Sequence, residues 1–196
     1  PALVRQAVRG LGRFERPELV AHILPLLSSP RAAVRREAAN ALGQALYTAK
    51  REDPERPELT RVTLALLNRL RLETDPQVRG VIAETVGRLP HRTTTAVADA
   101  EVALQALAAA PSQQPPALLR GAMRGLDFLI RGNQKLKTPD ALTKERLRAV
   151  AVLASDPSDV ELAAVRRDAW LAVLAATAAD ASLVDEGLDD QDAQEI

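Results

Sequence analysis

Residues 34–46 read VRREAANALGQAL, and this stretch aligns without gaps with four other segments, which begin at Leu3, Val78, Leu118 and Val165. The five copies start 31, 44, 40 and 47 residues apart. A repeat of this length is typical of an array of supersecondary units, none of which can bury its apolar face alone. The alignment therefore predicts that the chain is built from stacked copies of one unit.

Five columns of the alignment are apolar in every copy, namely positions 1, 5, 6, 9 and 12. Positions 1, 5, 9 and 12 lie along one face of an α-helix, which predicts an amphipathic helix in each copy. Position nine, for example, holds Leu11, Leu42, Val86, Leu126 and Val173. Position six includes Met123 and Trp170, and we expect both to be buried, or Trp170 to cap the last repeat.

Position eight keeps small residues, namely Gly10, Ala41, Thr85, Gly125 and Ala172. Because glycine inside a helix costs up to about 1 kcal/mol relative to alanine, its recurrence predicts that another backbone packs closely there. Only 2% of the residues are aromatic, which also favours closely packed helices with small aliphatic side chains.

Second helical stretches are predicted between the copies, at about 17–28, 57–72, 94–110 and 139–154. Thr74-Asp75-Pro76 and Ser155-Asp156-Pro157 supply turn chemistry before the helices that follow them. The expected order is one unpaired helix followed by four helix pairs. The unpaired helix, together with a first residue that is Pro1 rather than Met, predicts a fragment of a larger protein.

The Asp-Pro turn, the Val-Arg pair and the Ala-rich stretch that ends in Leu-Gly resemble the second helix of the HEAT-repeat family, an armadillo-like α-solenoid family. The match is best at 30–46 and 75–89. The resemblance implies an all-α, right-handed α–α superhelix of about nine helices over residues 1–179, with an acidic tail or linker at 180–196. The excess of arginine over lysine, 22 to 4, favours a bacterial source.

In that family an aspartate between the helices and the arginine after the valine commonly form a ladder of hydrogen bonds along the stack. Arg35, Arg79 and Arg166 match the arginine, whereas Val4 and Leu119 replace it in the other two copies. Ser29 and Glu73 occupy the aspartate position before Arg35 and Arg79. These departures predict that the ladder is not continuous.

The net charge is zero, but it is unevenly distributed. Residues 1–167 contain all 26 basic residues and carry a charge of +8, whereas 168–196 contain eight acids and no base. Three roles compete for the acidic tail: a linker, an autoinhibitory segment that covers a basic surface, and a hydrophilic cap on the last repeat.

Arginine recurs at position three of the alignment and one turn later, and the resemblance places these residues on the concave surface. We identify them as candidate partner-binding residues: Arg5, Arg9, Arg36, Arg120, Arg124 and Arg167. Gly80 interrupts the column. The fixed fork of donors in arginine suits carboxylates and phosphates. The alternative is an ordinary solvated surface, with Arg36 and Arg167 paired to Glu37 and Asp168.

Nothing in the sequence predicts an enzyme or a cofactor. The chain has no cysteine, only two histidines, no window apolar enough to span a membrane, and none of the common nucleotide, metalloprotease or hydrolase motifs. His91-Arg-Thr-Thr-Thr places a base near hydroxyls, but without an orienting acid nearby in sequence it is best explained as a helix-connecting loop.

Three functions follow as hypotheses. The first is a non-catalytic scaffold that binds a protein or peptide, acidic or extended, on the arginine-lined surface. The second is a regulatory or substrate-presenting module of a larger enzyme, as the resemblance suggests for bacterial proteins that join such repeats to a cyclophilin-type prolyl isomerase. The third is nucleic-acid binding through the arginines, which the shortage of aromatic residues disfavours.

Overall fold

The computed structural model describes residues 2–47, 57–153 and 160–192, and within them the side chains from Leu3 to Asp180. In these ranges the chain forms nine α-helices and no strand. The helices are α1 (Ala2–Arg13), α2 (Val20–Ile23), α3 (Ala32–Ala45), α4 (Pro57–Leu72), α5 (Pro76–Arg88), α6 (Thr94–Leu107), α7 (Pro116–Asn133), α8 (Ala141–Leu153) and α9 (Val160–Asp192).

The helices form two layers, and this confirms the predicted all-α solenoid of one helix followed by four pairs. The odd-numbered helices hold the five aligned copies and pack side by side, α1 on α3, α3 on α5, α5 on α7 and α7 on α9. Each even-numbered helix packs on the odd-numbered helix that follows it. Contacts within the even layer are sparse, so the odd layer holds the array together.

The local sequence explains where the helices begin. Asp75 caps α5, because its carboxylate accepts hydrogen bonds from the backbone N–H groups of Gln77 and Val78 at 2.9 and 3.0 Å. This confirms the turn predicted at 74–76. The similar turn predicted at 155–157 lies outside the described residues.

The first even-layer segment is less regular than predicted. Over 17–28 the chain forms two 3₁₀ segments, Pro17–Leu19 and Leu24–Ser28, on either side of the four-residue α2. Pro25 lacks a backbone N–H and cannot extend an α-helix through this position. Val20, Ile23 and Leu27 are nevertheless buried, so the segment still covers the start of the array.

The repeat columns form a large part of the core, as the alignment predicts, and the buried faces of the even-numbered helices complete it. At position five, Ala38, Ile82, Ala122 and Ala169 are fully buried, and at position nine so are Leu42, Val86 and Leu126. Met123 is fully buried, as expected. Side chains of Ala, Leu and Val thus fill the space between closely spaced helices.

Four residues that the columns predict to be buried are exposed at the two ends of the array, namely Leu3, Ala7, Phe14 and Trp170. Leu3 is 80% exposed, Phe14 66% and Trp170 44%, so the prediction of a buried Trp170 is wrong. Among the described residues no helix packs before α1 or beyond α9. The same column positions are buried in the inner copies because each inner odd-numbered helix has a neighbouring odd-numbered helix on both sides.

Glycines bring α5 and α7 into close contact. Gly80 faces Gly121, and Gly87 faces Gly125, so that backbone packs against backbone along both helices. A Cβ atom added at Gly125 would lie 2.5 Å from the carbonyl oxygen of Ala83. Gly10, at the same position in α1, has nothing within 4 Å of such an atom. The predicted close approach is therefore confirmed at Gly125 and wrong at Gly10.

One rung of the expected ladder is present, with glutamate in place of aspartate. Arg35 of α3 donates from Nε and Nη2 to the carboxylate of Glu73 at 2.7 and 2.9 Å, and Arg69 donates to the same carboxylate at 2.7 Å. Arg35 Nη1 also donates to the carbonyl oxygen of Ser29 at 2.9 Å. The buried Nε of Arg79 has no acceptor in the part of the chain that the structure describes, so the ladder does not continue.

The last helix, α9, runs from Val160 to Asp192 and crosses the predicted start of the acidic tail at residue 180. The tail at 180–196 and its role remain predictions, since side chains beyond Asp180 and residues 193–196 lie outside the described part. None of the described helices combines the length and apolar character that a bilayer span requires.

Candidate functional site

The six candidate arginines all lie on the odd-numbered helices. Arg5 and Arg9 are on α1, Arg36 on α3, Arg120 and Arg124 on α7, and Arg167 on α9. Because position three lies at the same level of each copy, residues at this position follow one another across the layer. Helix α5 contributes Gly80 at this level, so the arginines form two groups on either side of it.

Four of the arginines form ion pairs, and three of these pairs join neighbouring odd-numbered helices. Arg9 donates from Nε and Nη2 to Glu37 of α3 at 2.9 and 3.0 Å. Arg124 pairs with Glu84 of α5 at 3.0 Å. Arg120 pairs with Asp168 of α9 at 3.0 Å, and Arg167 also pairs with Asp168, at 3.2 Å. The arginine side of these pairs is 38–66% exposed, whereas Glu37 and Asp168 are buried.

Four of the six arginines therefore share three carboxylates, which leaves an excess of positive charge among the candidate arginines. The excess is greatest on α1 and α3, where Arg9 pairs with Glu37 and neither Arg5 nor Arg36 has an ion-pair partner within the described residues. Of the two pairings expected from the sequence, Arg167 with Asp168 is confirmed. The other is wrong, because Glu37 binds Arg9 rather than Arg36.

A cavity of about 400 Å³ opens where Gly80 interrupts the arginine column. Its walls include aliphatic groups from three odd-numbered helices: Val81 of α5, Pro116 and Ala117 of α7, and Val160 and Ala164 of α9. Its charged lining residues are Arg120, Arg124, Glu84 and Glu161, and the first three form ion pairs with a described residue. The free surface inside the cavity is therefore mainly aliphatic.

Two further cavities follow α7 from this point. One of about 250 Å³ is lined by Arg124, Phe128 and Leu171, and the next, of about 350 Å³, by Phe128, Arg131 and Tyr47. Arg124 lies over the ring of Phe128, 5.9 Å from its centre. The three cavities are neighbours on the odd layer, because the first two share Arg124 and the last two share Phe128 in their linings.

The His91 loop borders a separate cleft of about 470 Å³ between α4 and α6. His91 is buried, and its Nε2 lies 2.8 Å from the carbonyl oxygen of Val86, so Nε2 is the protonated nitrogen. Burial lowers the pKa of His91, although the bond to Val86 partly opposes this shift. Thr93 caps α6 by accepting from the backbone N–H of Ala96, as expected of a helix-connecting loop.

Sequence reasoning identified the arginines and named Glu37 and Asp168 as possible partners, but it missed Glu84 and the pairing of Glu37 and Asp168 with arginines of the preceding odd-numbered helix. Glu37 and Asp168 both occupy position four, directly after the arginine column, and Glu84 occupies position seven. A signal was therefore present, since an acid at position four of one helix can reach an arginine of the preceding odd-numbered helix. Among the described residues no group of three or more His, Asp or Glu side chains could hold a metal ion.

A family model for HEAT repeats matches residues 1–59, which include α1, α2 and α3, and this match agrees with the helical repeats of the array. No curated protein matches the chain. Among solved structures the chain is similar to an engineered protein of known crystal structure, with 18% sequence identity and a TM-score of 0.47, over 89% of this chain and 90% of that one.

Proposed function

We propose that this HEAT-repeat solenoid is a non-catalytic scaffold that binds an acidic, extended segment of a partner protein across its odd-numbered helices. HEAT repeats are generally protein-interaction scaffolds. The observation that supports an acidic partner is the shortage of carboxylates: in the described residues Glu37, Glu84 and Asp168 pair with four of the six arginines, and the other two, Arg5 and Arg36, have no ion-pair partner. The carboxylates of a partner would balance this charge.

The packing of the two layers supports the choice of surface. Odd-numbered helices pack closely, whereas even-numbered helices make few contacts with each other. An array that is tightly packed in one layer and loose in the other bends toward the tight layer, which then lines the inner curve. The arginines on this layer would face a bound segment from both sides of Gly80.

The ion pairs support a preformed binding surface. Arg9 and Arg120 are each tied to a buried carboxylate of the next odd-numbered helix. Their guanidinium groups remain half exposed, so they can donate further hydrogen bonds without first being ordered. A scaffold of this kind loses little side-chain entropy when the partner binds.

Charge reversal tests the proposal. The variant Arg36→Glu/Arg167→Glu changes two arginines of the candidate surface, and the control Arg61→Glu/Arg148→Glu changes two exposed arginines of α4 and α8. Both variants alter the net charge equally. The probe is a fluorescein-labelled oligo-glutamate of about ten residues, and fluorescence anisotropy measures its binding at about 50 mM salt, where screening is weak.

We expect the first variant to weaken binding at least about tenfold, because each exposed ion pair contributes roughly 0.2–1 kcal/mol and each reversal also adds repulsion. The control should bind like the unmodified protein. Equal losses in both variants would mean that net charge alone attracts the probe. A labelled DNA duplex measures the nucleic-acid alternative, and tighter binding to the duplex than to the peptide would contradict a protein partner.

A further inference from the structure

The cavity at Gly80 and the arginines beside it form one composite surface. We propose that this surface recognises an extended partner segment in which an acidic pair and an aliphatic side chain are separated by about four residues. The acids would bind Arg5, Arg9 and Arg36, and the aliphatic side chain would enter the cavity lined by α5, α7 and α9. This inference rests on the proposed function and specifies the sequence of the segment that binds.

The acidic half of the motif follows from the charges on α1 and α3. The arginines Arg5, Arg9 and Arg36 lie on the neighbouring helices α1 and α3. Of these three, only Arg9 has an ion-pair partner among the described residues, and that partner is Glu37. Glu37 is engaged at both carboxylate oxygens by Arg9. Arg36 and Arg5 have no ion-pair partner in that part of the chain, so two carboxylates of a bound segment would meet uncompensated guanidinium groups.

The aliphatic half follows from the lining of the cavity. Val81, Ala117, Val160 and Ala164 contribute methyl groups. Of the charged residues in the lining, Arg120 is paired with Asp168 and Arg124 with Glu84, and Glu161 adds a negative charge. A carboxylate placed there would compete with these pairs, whereas a leucine or valine side chain would bury apolar surface without disturbing them.

The separation follows from helix packing. Arg5, Arg36 and Gly80 occupy the same level of successive odd-numbered helices, and Arg9 lies one turn further along α1, so a segment that joins them crosses the helices. Adjacent helix axes are about 8–10 Å apart. The part of the cavity that α5 and α7 line is about one and a half such steps from α3, roughly 12–15 Å away. An extended chain covers this distance in about four residues, because each residue spans about 3.3 Å.

Synthetic peptides and two variants test the motif. The probe is a labelled peptide with two adjacent glutamates, a spacer of four glycine or serine residues, and a leucine. Comparison peptides replace the leucine by glycine or shorten the spacer to one residue. Ala164→Leu fills the cavity from α9, and Ala163→Leu, at the neighbouring exposed position that does not line the cavity, is the matched control.

We expect the leucine peptide to bind the unmodified protein about tenfold more tightly than either comparison peptide, as burial of one leucine side chain allows. Ala164→Leu should abolish this difference, while Ala163→Leu should preserve it. If all three peptides bind equally and Arg36→Glu/Arg167→Glu weakens all of them, the motif is wrong and the proposed function stands. If no peptide binds the unmodified protein, both are wrong.

Discussion

Arg35 of α3 and Glu73, which precedes α5, are 38 residues apart in sequence and form a two-point ion pair that joins the first helix pair to the second. The side chain of Glu73 is fully buried. It also accepts hydrogen bonds from Arg69 and from the backbone N–H groups of Thr74 and Asp75. One carboxylate therefore fixes the side chain of α3, the end of α4 and the turn into α5.

Replacement of this carboxylate should destabilise the array in a pH-dependent way. Burial alone would raise the pKa of Glu73, but the hydrogen bonds from Arg35, Arg69 and Asp75 outweigh burial and lower the pKa from 4.5 to about 2. At about 1.4 kcal/mol per pKa unit, Glu73→Gln should lower the free energy of unfolding by about 3 kcal/mol at neutral pH. Urea denaturation followed by circular dichroism measures this change, and the exposed Glu145→Gln is the control.

The sign of the pH effect follows from the lowered pKa. Glu73 is ionised in the folded protein down to about pH 2, so its contribution is complete above about pH 5 and is lost as the pH falls toward 2. The difference between Glu73→Gln and the unmodified protein should shrink over this range. A difference that stays constant from pH 7 to pH 3 would show that the charge of Glu73 is not the source of stability.

His91 should make the protein less stable in mild acid. Its pKa is lowered from 6.5 because the imidazole is buried, and the folded state therefore favours the neutral ring. The stabilisation is complete above the unfolded pKa of about 6.5 and declines as the pH falls through the lower folded value. An NMR titration of the His91 ring gives the pKa directly, with His22→Gln used to assign its signals. A measured His91 pKa at or above 6.5 would contradict the expectation that burial of the imidazole lowers its pKa.

Two glycines at the same alignment position should respond to alanine in opposite ways. Gly10→Ala adds a methyl group in open space and should raise the free energy of unfolding by about 0.5–1 kcal/mol, because alanine is the better helix former. Gly125→Ala places a methyl group 2.5 Å from the carbonyl oxygen of Ala83 and should lower it by about 1–3 kcal/mol. Thermal unfolding of both variants gives the comparison, and equal signs would refute the close contact between α5 and α7.

Two arginines of the candidate surface should differ in their importance for stability. Arg120→Ala removes a partner of the buried Asp168 and should lower the free energy of unfolding by about 1–3 kcal/mol. Arg36→Ala removes a side chain with no ion-pair partner among the described residues, and its effect should stay within about 0.5 kcal/mol. Chemical denaturation of the two single variants measures the difference. A larger loss for Arg36→Ala would mean that the surface is organised differently.

Much of the fold was accessible from the sequence because one helix recurs with the same apolar positions. Leu42, Val86 and Leu126 align at position nine and are all fully buried. The intervening helix predicted at 57–72 was found with the same bounds, Pro57–Leu72. Repetition makes such predictions strong, since every copy must satisfy the same packing with its neighbours.

The candidate site was only partly accessible from the sequence. The arginine column could be read from the alignment, but the assignment of Glu37 to Arg9 rather than to Arg36 depends on which helix faces it. The break at Gly80 was visible as a missing arginine. The cavity there could not be predicted, because its walls come from α5, α7 and α9.

The sequence by itself determined the repeating unit, the helical class and the buried columns, because these depend on the periodic spacing of apolar side chains along a single helix. The tertiary structure decided which residues of equivalent columns are exposed. Leu3 and Trp170 obey the same pattern as their buried counterparts, yet they lie at the ends of the described array. It also decided that Glu73 binds Arg35, because an ion pair requires two side chains to meet in space, and their separation in sequence gives no measure of that distance.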